Sequence, residues 1–381
     1  MNNRSVRVMY DFQIFVRQKF GGISRYFQQL IATAAVLDVD YTPLIRSYLS
    51  QNHYIREDDI CRNAVLMSFL MDPKFAWAFE SKFKGKLAIF SAINKLLLTP
   101  SLLFEDYDTL HPTYYDPYLL KFKGKKELVI TVYDMIHEIY PQYFNRRDKS
   151  AEHKRRLLAA ADKIIAISEN TKRDVLRFYP QIPEQKIKVI YLGTSDFQGS
   201  ADPLIKLPER YLLFVGNRDV YKNFALLLQA IAPLLQKQSD LYLVCAGGGK
   251  FNNEELFLIE RLDVKDKVIH YYAGDSDLAH FYKKATCFIF PSLYEGFGIP
   301  VLESFACGCP AVLSSVSSLP EVAGDGAAYF DPKDEASIFK TVCEVVTSEK
   351  LRRELVSKGC RRLKEFSKEK MAMETLALYR S

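Results

Sequence analysis

The stretch FPSLYEGFGIPVLESFACGCPAV, Phe290–Val312, sets two glutamates, Glu295 and Glu303, around Gly296, Phe297, Gly298 and Pro300. Its local grammar describes a ligand site. FIF followed by Pro291 reads as a short buried strand that stops at the proline. Pro300 suits the first position of a helix, where no amide hydrogen is missed. Val301–Cys307 fits one short helix with Gly308 as its stop. Glu295 therefore falls in a strand-to-helix loop and Glu303 in the first helical turn, where the helix dipole alone also favours a carboxylate. In open α/β sheets ligands bind where such loops leave the carboxyl ends of strands, and glycines let the backbone approach them closely.

Three further places carry candidate residues. In KFGGISRYF, Gly21 and Gly22 follow a first strand and directly precede a helix, an arrangement that serves either as an anion site or merely as a turn. In LFVGNRDVYKNF, Gly216 and Asn217 are followed by Arg218 and Lys222 after the first strand of the second half. Two cations there could neutralise a leaving diphosphate, each charge-assisted contact being worth roughly 1.5–3 kcal/mol; a solvated basic loop is the alternative. In TLHPTYYDPYLL and TVYDMIHEIYPQYF, His111, Asp134 and His137 lie after strands of the first half and could position an acceptor or touch a donor, although a lone histidine is more often structural. There is no GxGxxG, Walker lysine loop, GxSxG or HExxH, and Asp38-Val39-Asp40 reads as a chance match to a metal-binding DxD.

Strands and helices alternate along the chain. RVMYDF, ELVITVYDM, KIIAIS and KIKVIYLG read as strands of a first series, interleaved with ISRYFQQLIATAAVL, KRRLLAAA and ENTKRDVLRFY as helices, the last capped by Ser168. Thr194–Glu209 reads as a linker. YLLFVGN opens a second series that runs through LYLVCAGG, VIHYYA, CFIFPS and PAVLSS. This is the pattern of parallel sheets, and it predicts two Rossmann-like, doubly wound α/β domains facing each other across a cleft, over residues 1–195 and 205–365. EKMAMETLALYR, within 366–381, is expected to form a final helix.

The 381 residues are 48% apolar and 26% charged, an ordinary globular composition. The N-terminus lacks the apolar region of a signal peptide, and with no run of 18 apolar residues no spanning helix is expected. Seven scattered cysteines fit a reduced, cytoplasmic chain. Residues 1–195 hold 29 Lys+Arg against 21 Asp+Glu, a net of +8, and residues 196–381 hold 23 against 25, a net of −2. A basic first half suggests an acidic partner or an anionic membrane surface rather than nucleic acid. KFKGKLAIFSAINKLLL, Lys82–Leu98, interleaves lysines with apolar residues and reads equally as a membrane-lying or as a core helix.

EGFGIPVLE resembles the paired-glutamate signature of retaining glycosyltransferases of family 4, which have the GT-B fold. DLAHFYKKATCFIFPS, SSLPEVAGDGAAYFDP, VGNRDVYKN, ISENTKRDV and KFGGISRYF extend the resemblance over nearly the whole chain. IHE, HPTYYDPYL and GGISRYF are similar to bacterial mannosyltransferase-like members that build O-antigen, capsule or exopolysaccharide. The resemblance implies that Glu303 binds the ribose hydroxyls of a nucleotide sugar. Glu295, with Phe297, Gly298 and Ile299, would hold the donor sugar, Arg218 and Lys222 would stabilise the departing diphosphate beside Gly216 and Asn217, and Gly21-Gly22 would let the first helix approach it. It implies no cofactor and no metal, GDP-mannose as first donor, a lipid-linked glycan as acceptor and a peripheral place on the inner face of the plasma membrane. The chain departs from the family at Tyr133, where many members carry histidine before the aspartate, and at Asn217, where many carry arginine. An epimerase, a phosphorylase or a non-catalytic sugar-nucleotide-binding protein on the same fold are the rival readings. Acceptor, linkage and oligomeric state have no signal in the sequence.

Overall fold

The structure is a computed structural model and describes residues 5–47, 49–54, 85–194 and 205–381. Two wholly parallel six-stranded sheets divide the chain. The first contains β1 (Val6–Tyr10), β2 (Tyr41–Ile45), β3 (Thr109–His111), β4 (Glu127–Val132), β5 (Lys163–Ala166) and β6 (Ile187–Val189), in the order β2-β1-β3-β4-β5-β6. The second contains β7 (Arg210–Val215), β8 (Leu241–Ala246), β9 (Val268–Tyr271), β10 (Cys287–Phe290), β11 (Ala311–Ser314) and β12 (Ala327–Phe330), in the order β12-β11-β10-β7-β8-β9. Read from its other edge, the second sheet has the doubly wound order 3-2-1-4-5-6. Its switch point falls between β7 and β10, so the loops after these two strands open into one crevice. Continuous apolar runs such as LLFV in β7 and CFIF in β10 follow from burial on both faces of the sheet.

The helix Gly22–Leu37 follows β1 and turns Tyr26, Phe27, Leu30, Ile31 and Ala34 inward. The helix Glu169–Phe178 follows β5, and its Ser168 cap accepts from the Thr171 amide at 3.0 Å, as the sequence leads one to expect. Part of the predicted linker and Lys82–Lys84 of the lysine-rich stretch lie outside the described residues. The rest of that stretch belongs to the helix Lys86–Phe104, which among the described residues is long and apolar enough to cross a membrane. That differs from the expectation of no spanning helix, because Ser, Asn, Lys and Thr interrupt the sequence run without interrupting the helix. Asn94 nevertheless ties it to the first domain: its side chain accepts from Leu49 N at 3.1 Å and donates to Leu49 O at 2.9 Å.

The C-terminal helix Lys368–Arg380 returns to the first domain and packs on Gly22–Leu37. The outgoing and returning chains cross closely, for Thr194 N donates to Phe366 O at 3.2 Å and a Cβ on Gly193 would lie 2.4 Å from Lys368 Cα. Tyr379 then reaches the centre of the first domain, where its hydroxyl bonds to Tyr10 Oη at 2.8 Å and to His111 Nδ1 at 2.6 Å.

Candidate functional site

β10 ends at Phe290, Pro291 follows, and the helix Ile299–Ala306 begins with Pro300 in its first turn. Gly298 makes the entry with φ of 104°, a conformation that favours glycine. Gly296 serves a different need. A Cβ there would sit 1.7 Å from the carbonyl oxygen of Tyr133, so only glycine lets this loop touch the loop after β4 in the other domain. The contact is elaborated by hydrogen bonds. Ser168 Oγ and Thr171 Oγ1 donate to Gly296 O at 2.7 and 3.1 Å, and Met135 N donates to Tyr294 Oη at 3.2 Å. Tyr294 Oη donates in turn to Asp174 at 2.8 Å. The amides of Glu169 and Asn170, at a helix N-terminus of the first domain, donate to the carboxylate of Glu321 in the second at 2.6 and 2.9 Å. The two domains therefore meet at the predicted site.

Glu295 Oε1 accepts from Lys222 Nζ at 2.6 Å, and Ser317 and Ser318 hold its main chain at 3.0 and 2.9 Å. Lys222 is aimed by the residue after it, since Asn223 is left-handed at φ 58° and opens the helix Phe224–Lys237. Asn and Asp tolerate this region best among residues with a side chain. Glu303 is 4% exposed. Its carboxylate accepts from Tyr282 Oη at 3.2 Å and from the guanidinium of Arg25. Arg25 had no signal of its own in the sequence: it is one arginine on a helix face, and its partner lies far along the chain. Gly22, Arg25, Ile299 and Glu303 line one narrow cavity between the domains, so the second glycine of the pair and the second glutamate do come together, and a Cβ on Gly22 would lie 3.1 Å from Ile299 Cδ1, a tight contact.

Asp134 stands across the cleft. Its Oδ1 accepts from Ile136 N at 3.1 Å, and Lys154 Nζ, wholly buried, donates to its carbonyl at 2.8 Å and to Glu138 at 2.9 Å. Lys154, read only as part of a basic helix, is thus the post that holds the 134–138 loop. Burial raises the Tyr221 phenol, and the charges of Glu295, Asp219 and Asp134 add to the shift. Residues of both domains hence share one electrostatic neighbourhood around Lys222 and Glu295.

Arg218 and His111 meet a geometry different from the one expected. Arg218 does not face the crevice as a spare cation. Its side chain is 3% exposed, pairs with Glu255 at 2.9 Å and donates to the carbonyls of Gly247, Gly249 and Lys250 at 3.3, 2.7 and 3.0 Å. It braces a loop of three left-handed glycines beside Gly216 and the exposed Asn217. His111 has no exposed surface and cannot touch an acceptor: its Nε2 bonds to Thr131 Oγ1 at 2.9 Å, and burial lowers its pKa to about 3, so the ring is neutral. His137 stacks on Phe144 with centroids 4.0 Å apart and faces Asp148 at 3.7 Å. Burial lowers its pKa as well.

Comparison with known proteins agrees with this geometry. Residues 20–196 match the model described as Glycosyltransferase Family 4, and residues 197–362 the model described as Glycosyl transferases group 1. The O-antigen chain mannosyltransferase B of Escherichia coli is 28% identical over 79% of this chain and 86% of its own length. An N-acetylgalactosaminyltransferase of Campylobacter jejuni, whose name specifies a diphospho-undecaprenol-linked acceptor, is 31% identical over 58% of this chain and 60% of its own. Among solved structures, Anabaena HepE in complex with UDP and glucose superposes with a TM-score of 0.70, covering 98% of this chain and 99% of that one at 14% identity. With each half matched by its own glycosyltransferase model and both halves in the GT-B arrangement, this chain belongs to the family 4 glycosyltransferases.

Proposed function

We propose that the protein is a retaining, metal-independent glycosyltransferase that moves a hexose from a nucleotide sugar to a lipid-linked glycan, with mannose from GDP-mannose as the first candidate. The observation that carries this reading is the convergence of Glu295, Lys222, Glu303 and Arg25 with Asp134 where the two domains meet. In the reaction the bond between the sugar C1 and the diphosphate oxygen breaks, and a bond from C1 to the acceptor oxygen forms on the same face. The acceptor hydroxyl gives its proton to the leaving phosphate. Lys222, held by Glu295, answers the charge that develops on the diphosphate, and a cation fixed in position stabilises the transition state without reorganising. Glu303 accepts from the ribose hydroxyls. Contact of the domains through Gly296 and Tyr133 excludes water that would hydrolyse the donor. In this reading protein cations take the part a metal plays elsewhere.

The mannose assignment draws on the relatedness to O-antigen mannosyltransferases, and the lipid-linked acceptor on the Campylobacter relative. A peripheral place on the inner face of the plasma membrane is supported by the helix Lys86–Phe104, whose Leu87, Ile89, Leu96, Leu103 and Phe104 are exposed on the basic first domain. The experiment is thermal stabilisation of the purified protein across GDP, UDP, ADP, CMP and their common sugars. Selective stabilisation by GDP and GDP-mannose is the expected result. Preference for UDP overturns the sugar and keeps the reaction, whereas no response to any nucleotide overturns the donor site.

A further inference from the structure

Glu303 is asked to be a carboxylate in a buried place. A charge removed from water needs a partner of opposite sign, or it is strongly destabilising. That partner is Arg25, brought from the opposite domain by the helix Gly22–Leu37. The Arg25 side chain is 17% exposed and lines the same narrow cavity as Gly22, Ile299 and Glu303, so it shares that cavity with the carboxylate assigned to the ribose and the glycine turn expected to face the diphosphate. The cations marked for that diphosphate are committed differently: Arg218 is held by Glu255 and three carbonyls, and Lys222 by Glu295.

We propose that Arg25 is a donor-binding residue whose guanidinium pairs with Glu303 and passes to the diphosphate when the ribose hydroxyls take over that carboxylate. The exchange needs no new charge, because the planar fork of arginine matches a carboxylate and a phosphate equally well. It also requires the two domains to be together, because Arg25 and Glu303 come from different ones, so nucleotide capture is tied to the closed arrangement. The proposal rests on the donor-site reading above.

A double-mutant cycle on nucleotide affinity tests it, with GDP and UDP as probes and the unaltered protein, Arg25→Ala, Arg25→Lys, Glu303→Gln and Arg25→Ala/Glu303→Gln compared by titration calorimetry. If Arg25 takes the diphosphate, Arg25→Ala weakens binding at least ~10-fold both alone and in the Glu303→Gln background, and Arg25→Lys recovers part of the loss. If Arg25→Ala has no further effect once Glu303 is Gln, Arg25 only partners the carboxylate and the proposal fails. It fails equally if Arg25→Ala alone binds as the unaltered protein does. Unchanged affinity in Glu303→Gln and Lys222→Ala as well would instead overturn the donor site itself, separating that failure from the failure of Arg25.

Discussion

Lys222 and Glu303 are the residues expected at the diphosphate and the ribose of the donor, and each is paired in the structure, one with Glu295 and one with Arg25. Pairing fixes the orientation of both groups, so their loss is felt in the transition state rather than only in substrate capture. Lys222→Ala and Glu303→Ala should each lower turnover by ~10²-fold or more. A transfer assay in which both variants keep near-normal rates would show that the chemistry lies elsewhere. His111 makes the opposite case of a histidine that is structural. Burial lowers its pKa from the ordinary 6.5 to about 3, so the unfolded chain takes up a proton before the folded one does. Its contribution is therefore complete above the ordinary value and is lost as pH falls through the window below it. The expected loss is about 2 kcal/mol at about pH 5. Urea titrations of the unaltered protein and His111→Gln should show the shallower pH dependence in the variant; identical slopes would remove His111 as the cause.

At the scale of elements, the strand, proline, glycine loop and proline-opened helix of Phe290–Val312 are all legible because each rests on a local backbone rule. The use made of Gly296 is not legible. Its glycine is demanded by the carbonyl of Tyr133, more than 150 positions away. Gly296→Ala should force the two loops apart. A displacement of that order at a reacting site costs on the order of 10²-fold in rate, while each domain should keep its own fold. Circular dichroism matching the unaltered protein together with full activity would refute the close contact. Lys154 shows the same limit on reading. In KRRLLAAA it looks like its solvated neighbours Arg155 and Arg156, yet it is the buried member, and the reason is Glu138 and the Asp134 carbonyl on a loop that sequence alone does not bring near. Arg218 reverses the error, since a basic residue after a strand invites an anion, but the triple-glycine loop beside it supplies carbonyls instead.

At the scale of the molecule, the domains meet through a shared apolar cluster and through polar contacts, among them the Glu321 carboxylate on the amides of Glu169 and Asn170. Glu321→Ala should raise the KM for donor several-fold with a smaller change in nucleotide-free stability, in line with roughly 0.3–1 kcal/mol for a carboxylate at a helix N-terminus; an unaltered KM would show that this contact does not govern closure. The C-terminal helix is a different kind of tie. Tyr379→Phe removes the partner of buried His111 Nδ1, while Tyr10 Oη keeps Tyr41 Oη at 2.8 Å, and the loss should cost about 1–3 kcal/mol in chemical denaturation.

The amino-acid sequence by itself determined two parallel α/β halves, the turns at their strand ends and the family to which their motifs belong. These follow from period, capping and glycine or proline geometry, all of which act within a few residues. The tertiary structure decided which charges face which. Arg25 meets Glu303, Lys154 supports Asp134, Arg218 turns from the crevice to a glycine loop, and His111 is sealed beneath the C-terminal helix. Pairings of this kind depend on through-space distance and on burial, which local sequence rules do not contain. Those of Lys154 and Arg218 are set within one domain, those of Arg25 and His111 only when the second domain or the returning helix is packed on the first.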